Sequence, residues 1–202
     1  MTATVQARPV LADLIPAGLI PTVRQRTVAL VVAGALFTAL ASQIRIPLGF
    51  TPVPINLGTF AVVLTGGALG ARRGVASIGV FLAFGLVGLP FFAGANSGWT
   101  YATGSTGGYL LAYPVMAAIV GYAADRGRDR NVAAFTVAVV AANLVVYVLG
   151  ALWLAHVVDV PVLGTDGSAF SMGVRPFLAG DVAKMVAAGL LFPTAWRLVG
   201  DR

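Results

Sequence analysis

Residues 132–154 read Val-Ala-Ala-Phe-Thr-Val-Ala-Val-Val-Ala-Ala-Asn-Leu-Val-Val-Tyr-Val-Leu-Gly-Ala-Leu-Trp-Leu, a run without a single charged side chain. Coiled as an α-helix it would be about 35 Å long at 1.5 Å per residue, enough to cross a hydrocarbon core of roughly 30 Å. The rest of the chain has the same character. Of its 202 residues, 58% are apolar and 10% charged, and the mean hydropathy is +0.91. A soluble domain carries about 45–50% apolar and about 25% charged residues. So few charges cannot clothe a water-soluble surface, and the sequence therefore reads as an integral membrane protein.

Working outward, five further apolar runs qualify as spans: 27–44, 53–69, 75–89, 108–124 and 177–196. The expected fold is an all-α bundle of six transmembrane helices. The runs 53–69 and 75–89 are short and bounded by Gly and Pro, a pattern that points to a binding site in transporters. Between 91 and 106 lies an uncharged, Gly- and aromatic-rich loop, suited to a lid or re-entrant cover. Residues 1–24 are broken by Pro9 and Pro16 and carry Asp13, so they lack the basic start and clean apolar centre of a signal peptide. They read as a loosely ordered cytoplasmic tail, with residues 25–202 forming the six-helix substrate-binding domain.

Charge gives the orientation. With six spans, Arg8, Arg24, Arg26, Arg72, Arg73, Arg126, Arg128, Arg130, Arg197 and Arg202 fall on the side of the termini, and only Arg45 and Arg175 opposite. Cytoplasmic loops carry the excess of Arg and Lys, so both termini are expected in the cytoplasm of a multi-pass cell-membrane protein. The same distribution explains the net charge of +6 without a nucleic-acid partner. Without cysteine there is no disulfide framework or thiolate metal site. The phosphate-cradling Gly-x-x-x-x-Gly-Lys-Ser/Thr loop is not in the sequence. The single His156 has no evident Ser partner, and no Glu is present. No catalytic set, metal site or cofactor is expected.

Asp181 and Lys184 are the only acid and the only amine inside an expected span. At i and i+3 they share one helical face. Ionisable groups in a bilayer are costly and face a cavity or a partner, so the pair reads either as a ligand contact or as a helix-tying ion pair. Asn96 suits a urea or carboxamide group, since its amide donates and accepts; the alternative is a turn-stabilising role. Trp99, Tyr101 and Tyr109 can wall an apolar ligand, although aromatics are also frequent at membrane interfaces. Ala35, Thr38, Ala39 and Ser42 form a face of small side chains on the first helix, which permits close helix packing, by default within the chain.

Several stretches together resemble the BioY family of biotin transporters, the substrate-binding S components of energy-coupling-factor importers. These are Ala35-Leu-Phe-Thr-Ala39, Phe50-Thr-Pro-Val-Pro-Ile55 with Asn56-Leu-Gly-Thr59, Gly88-Leu-Pro-Phe-Phe-Ala-Gly94, Thr103-Gly-Ser-Thr-Gly-Gly-Tyr109 and Asp181-Val-Ala-Lys184. The chain departs from the family pattern at Gly58, where Gln is usual, and at Ser105, where Pro is usual. The resemblance implies uptake of biotin through an outward-facing pocket contacted by Asp181, Lys184, Asn96, Tyr109 and Trp99. It also implies a transmembrane coupling protein docked on Ala35 and Ala39, and two cytoplasmic ATPases. An S component for another vitamin, such as thiamine or riboflavin, is the nearest alternative. An intramembrane enzyme is the more distant one, with one Asp and one Lys as its whole ionisable inventory.

Overall fold

The computed structural model describes residues 8–16 and 22–199. Part of the expected tail (1–7 and 17–21) and Arg202 lie outside the described residues. The chain is helical almost throughout. Helix α1 spans Val23–Gln43, opened by Thr22, whose side chain accepts from the Gln25 amide. A short antiparallel ribbon follows, β1 (Arg45–Ile46) on β2 (Ile55–Asn56). Then come α2 (Gly58–Leu86), the short α3 (Gly98–Ala102) and α4 (Gly107–Asp125). A 3-10 turn at Arg128–Arg130 leads into α5 (Val132–Val158), which Asn131 caps by accepting from the Ala134 amide. The short α6 (Ala169–Gly173) precedes α7 (Leu178–Val199).

Five of these helices, α1, α2, α4, α5 and α7, are long and apolar enough to cross a membrane. Two of the six expected runs lie in α2, which is not straight. At Gly70 the backbone takes φ +80°, ψ 172°, a conformation that costs a side-chain-bearing residue dearly. The chain reverses there, so that the arms 58–69 and 71–86 lie side by side. A Cβ built on Gly74 would stand 2.9 Å from the Cα of Gly66. Thr59 and Phe81 line one cavity, although a straight helix would hold them about 33 Å apart. The first arm begins later than the sequence suggested, because residues 55–56 pair with 45–46 instead of joining the helix.

Lipid tails are as apolar as leucine, so these helices are held by close fit and not by expulsion of water. Central α4 packs on both α2 and α5. Its contacts are backbone-close: a Cβ on Gly121 would meet the amide nitrogen of Ala71 at 2.5 Å, and one on Gly66 the carbonyl oxygen of Ala117 at 2.8 Å. Aromatic pairs fill the wider gaps, Phe135 with Phe192 at 4.7 Å and Phe81 with Phe92 at 5.7 Å between ring centroids.

The structure bears on two expectations. The small face of α1 is used inside the chain, as its side chains by default suggest, although the resemblance implied a coupling protein there. Ala35 and Ala39 are 1% and 6% exposed, Gly34 sits against Ser77 and Thr65 of α2, and the Thr38 and Thr65 hydroxyls approach to 3.4 Å. Their methyl groups are therefore covered by α2 and not presented to a partner subunit; Val32, Leu36, Phe37 and Leu40 form the exposed side. Nor is the described part of the N-terminal segment loose. Val10 and Ala12 are buried, Asp13 pairs with Arg73 at 2.9 Å, and Arg26 donates to the carbonyls of Ala12 and Ile15. The Arg8 amide donates to the Asp125 carbonyl. Residues 8–16 thus strap the end of the bundle where α1 starts, α2 reverses and α4 stops.

Because the reversal leaves no space between its arms, Gly74→Ala is expected to destabilise the protein by about 1–3 kcal/mol through overpacking. Gly79→Ala, on the same arm with nothing within 4 Å of the added methyl, should leave the melting temperature unchanged or raise it. Thermal unfolding of both variants in detergent checks this.

Candidate functional site

At the end of the bundle opposite the Arg73–Asp13 strap, α1, β2, both arms of α2, α4, α5 and α7 enclose a cavity. Its lining includes Ser42, Asn56, Thr59, Phe81, Tyr101, Tyr109, Tyr113, Tyr147, Phe177, Asp181 and Lys184. The polar groups are placed by ordinary local structure. The Asp181 amide donates to the Phe177 carbonyl at 2.8 Å, fixing the first turn of α7 and carrying Asp181 to the cavity floor at 5% exposure. One helical turn on, the Lys184 ammonium reaches back to Asp181 Oδ1 at 2.8 Å and across to the Asn56 carbonyl at 2.7 Å. The β1–β2 ribbon holds that carbonyl in position, while the Asn56 side chain accepts from the Gly58 amide at 2.8 Å. From α5, the Tyr147 hydroxyl donates to Asp181 Oδ2 at 2.6 Å.

Each charged group keeps spare capacity. A carboxylate offers about four lone-pair sites and an ammonium three donors. Asp181 uses two sites on Tyr147 and Lys184, and Lys184 uses two donors on Asp181 and Asn56. The pair can therefore accept one or two N–H groups and donate to one oxygen of a bound molecule while still neutralising itself. Aromatic rings form the walls. Phe81 lies on Tyr113 with centroids 6.3 Å apart, and Tyr101 stacks on Phe92 at 5.4 Å. Burial raises the Tyr101 phenol above its usual value, with Thr106 opposing by a hydrogen bond, so this hydroxyl stays protonated and able to donate. A mostly apolar enclosure with a few convergent polar groups is the usual make-up of a small-molecule site.

Of the residues singled out in the sequence, Asp181, Lys184, Tyr101 and Tyr109 come together here. Tyr109 also ties α4 to α6, its hydroxyl donating to the Gly173 carbonyl at 2.7 Å. Asn96 and Trp99 do not reach the cavity. The Asn96 side chain donates to the Ala93 carbonyl at 2.8 Å and its backbone carbonyl accepts from the Phe92 amide, so its polar groups close their own turn. Trp99, on α3, is 69% exposed. The same loop contributes Ala93 and Tyr101 instead, and Gln43 of α1 anchors it by accepting from the Ala95 amide at 2.7 Å. The sequence reading missed Tyr147, Asn56 and Tyr113, whereas Tyr101, singled out beside Trp99 and Tyr109, does line the cavity. Tyr147 had a legible signal: a phenol inside an otherwise apolar span needs a hydrogen-bond partner in hydrocarbon, and Asp181 is the one acid at membrane depth.

Removing one member of a buried ion pair leaves the other uncompensated, a loss of about 3 kcal/mol or more. Asp181→Ala is therefore expected to lower stability more than the double variant Asp181→Ala/Lys184→Met. Thermal unfolding of the ligand-free variants gives the comparison; equal losses in the two would mean that the pair is not coupled.

Comparison with known proteins gives one consistent answer. The model of the BioY family matches residues 15–201. A probable biotin transporter BioY of Pyrococcus horikoshii is 34% identical over 178 residues, covering 88% of this chain and 99% of the relative. The biotin transporter BioY of Thermotoga maritima is 34% identical over 164 residues, 79% of this chain and 91% of its own. Among solved structures, the S-component for biotin from an ECF-type ABC transporter superposes with a TM-score of 0.77 at 27% identity, covering 87% of this chain and 94% of the other. With matches spanning nearly its whole length, the chain belongs to the BioY family.

Proposed function

We propose that this protein takes up biotin, binding it in the cavity floored by Asp181 and Lys184, as the S component of an energy-coupling-factor importer. The observation that carries the reading is the half-used Asp181–Lys184–Tyr147 cluster inside an aromatic enclosure. Biotin offers a urea group with two N–H donors and a carbonyl, an apolar thioether bicycle and a carboxylate. Asp181 accepts from the urea N–H groups, Lys184 donates to an oxygen of the ligand, and the rings of Phe81, Tyr101, Tyr109 and Tyr113 cover the bicycle. The protein is a transporter subunit and not an enzyme. ATP hydrolysis falls to two cytoplasmic ATPases, joined through a transmembrane coupling protein. With Ala35 and Ala39 covered by α2, the exposed side of α1 at Val32, Leu36 and Leu40 is where that coupling protein would dock.

The same proposal includes six membrane crossings with both termini cytoplasmic, counting each arm of α2 as one. Two observations support it. The chain reverses at Gly70. In addition, contacts among residues 8–13, 26, 71–73, 125 and 129–130 and Trp196 gather the arginine-rich segments at one end, while Arg45 lies beside Gly94 at the other. The arginine-rich end faces the cytoplasm.

Purified protein in detergent should bind labelled biotin. A buried charge-assisted hydrogen bond contributes about 1.5–3 kcal/mol, so Asp181→Asn and Lys184→Ala are each expected to weaken binding roughly tenfold or more. A folded parent that binds no biotin would sink the assignment and direct attention to thiamine or riboflavin. For orientation, the absence of native cysteine permits single-cysteine labelling. A membrane-impermeant maleimide should modify Asp166→Cys in intact cells, and Arg128→Cys only after the membrane is opened. The reverse pattern would overturn the orientation.

A further inference from the structure

Thr59 stands in the first turn of α2, and its Oγ1 is buried without a hydrogen-bond partner. Four other hydroxyls of these helices show what is unusual about this. Thr27 bonds the carbonyl of Val23, Thr38 that of Gly34, Ser42 that of Thr38 and Ser77 that of Arg73, each four residues back. That local bond is how a helical hydroxyl satisfies itself where water is absent. For Thr59 the residue four back is Ile55, which belongs to β2 and not to the helix. A buried polar atom left unpaired lowers stability, and each case in a native protein asks for a reason.

The location supplies the reason. Thr59 lines the cavity that holds Asp181 and Lys184. Beside it, Gly58 allows other polar groups to close in: a Cβ at that position would lie 2.5 Å from Tyr113 Oη, 2.9 Å from Asn56 Oδ1 and 3.0 Å from Ser42 Oγ. The start of α2 is therefore a polar corner of an otherwise aromatic wall, in which one hydroxyl is buried and unused.

We infer that Thr59 is a ligand-contacting residue whose hydroxyl hydrogen-bonds the urea group of bound biotin, a third polar arm beside Asp181 and Lys184. The inference rests on the biotin reading of the cavity. It explains why a polar atom is kept unpaired in the ligand-free protein: the bond is made only when the ligand arrives, so its contribution appears as affinity and not as stability.

The test is equilibrium binding of labelled biotin together with thermal unfolding of the full chain in detergent, for the parent, Thr59→Val and Thr59→Ser. Val preserves the shape and removes the hydroxyl; Ser restores it. A neutral hydrogen bond corresponds to roughly three- to tenfold in affinity, so Thr59→Val should raise the Kd by about that factor while Thr59→Ser stays within about twofold of the parent. In the absence of biotin, Thr59→Val should melt at or above the parent temperature, because an unsatisfied buried group has been removed. A Thr59→Val variant that binds as the parent does overturns the assignment. So does one that melts well below the parent, which would mark Thr59 as a structural residue. A parent that binds no biotin overturns the cavity's biotin reading and this inference together, whereas normal parent binding with an unaffected Thr59→Val overturns only the latter.

Discussion

The hydrocarbon interior of a membrane offers no hydrogen bonds, and this single constraint organises the protein. Backbone groups must be satisfied within helices, and polar side chains must find partners nearby or be costly. The pattern is visible throughout. Hydroxyls of Thr38, Ser42 and Ser77 turn back to the carbonyl of the preceding turn, and Asn143 donates to the Val139 carbonyl in the same way. Asp181 and Lys184 neutralise each other and recruit Tyr147 and the Asn56 carbonyl from two other elements. The same medium removes the hydrophobic driving force between helices, leaving fit to hold them together. Hence the glycines at Gly66, Gly74 and Gly121, where backbones meet.

The cavity follows from how these demands are met on α7. An ion pair that saturated all its hydrogen-bonding positions would only be a strut. This one holds β2, α5 and α7 together yet leaves acceptor and donor sites open, so one cluster both supports the helices and keeps the capacity to receive a polar ligand. The ribbon of β1 and β2 is small but matters to this arrangement, because it turns a backbone carbonyl toward Lys184. At the opposite end, the polar contacts have another character. Asp13, Arg26, Arg73 and the Asp125 carbonyl tie residues 8–16 to the helix ends, and buried Asp129 accepts from the Trp196 indole. Burial raises the Asp129 carboxyl above its usual range, with that indole bond opposing.

Membership of the BioY family and the membrane class could both be read from the chain, the first from motifs dispersed over its length and the second from composition. The spans were legible to within a few residues where one apolar run was bounded by charge, as in α5. They were less so around residues 53–57, where Ile55 and Asn56 look like the start of a helix but pair as a strand. Asp181 and Lys184 were legible because ionisable groups are rare at membrane depth. Asn96 and Trp99 were not resolved by type alone, since an amide that bonds its own loop and an amide that awaits a ligand look the same in sequence. The small face of α1 was recognisable as a packing face, but not which neighbour it packs against.

What the sequence alone determined is therefore the solvent, the helical class and the one acid–amine pair at membrane depth, because each depends on the cost of placing a residue type in hydrocarbon. Only the tertiary structure decided that the turn between the second and third runs falls at Gly70 with its two arms in backbone contact, that α2 is the neighbour against which Ala35 and Ala39 pack, that Tyr147 and Asn56 complete the polar cluster, and that the Thr59 hydroxyl stays unpaired. Those features arise from contacts between residues far apart in the chain, and whether two such groups meet is set by helix packing and not by their own chemistry.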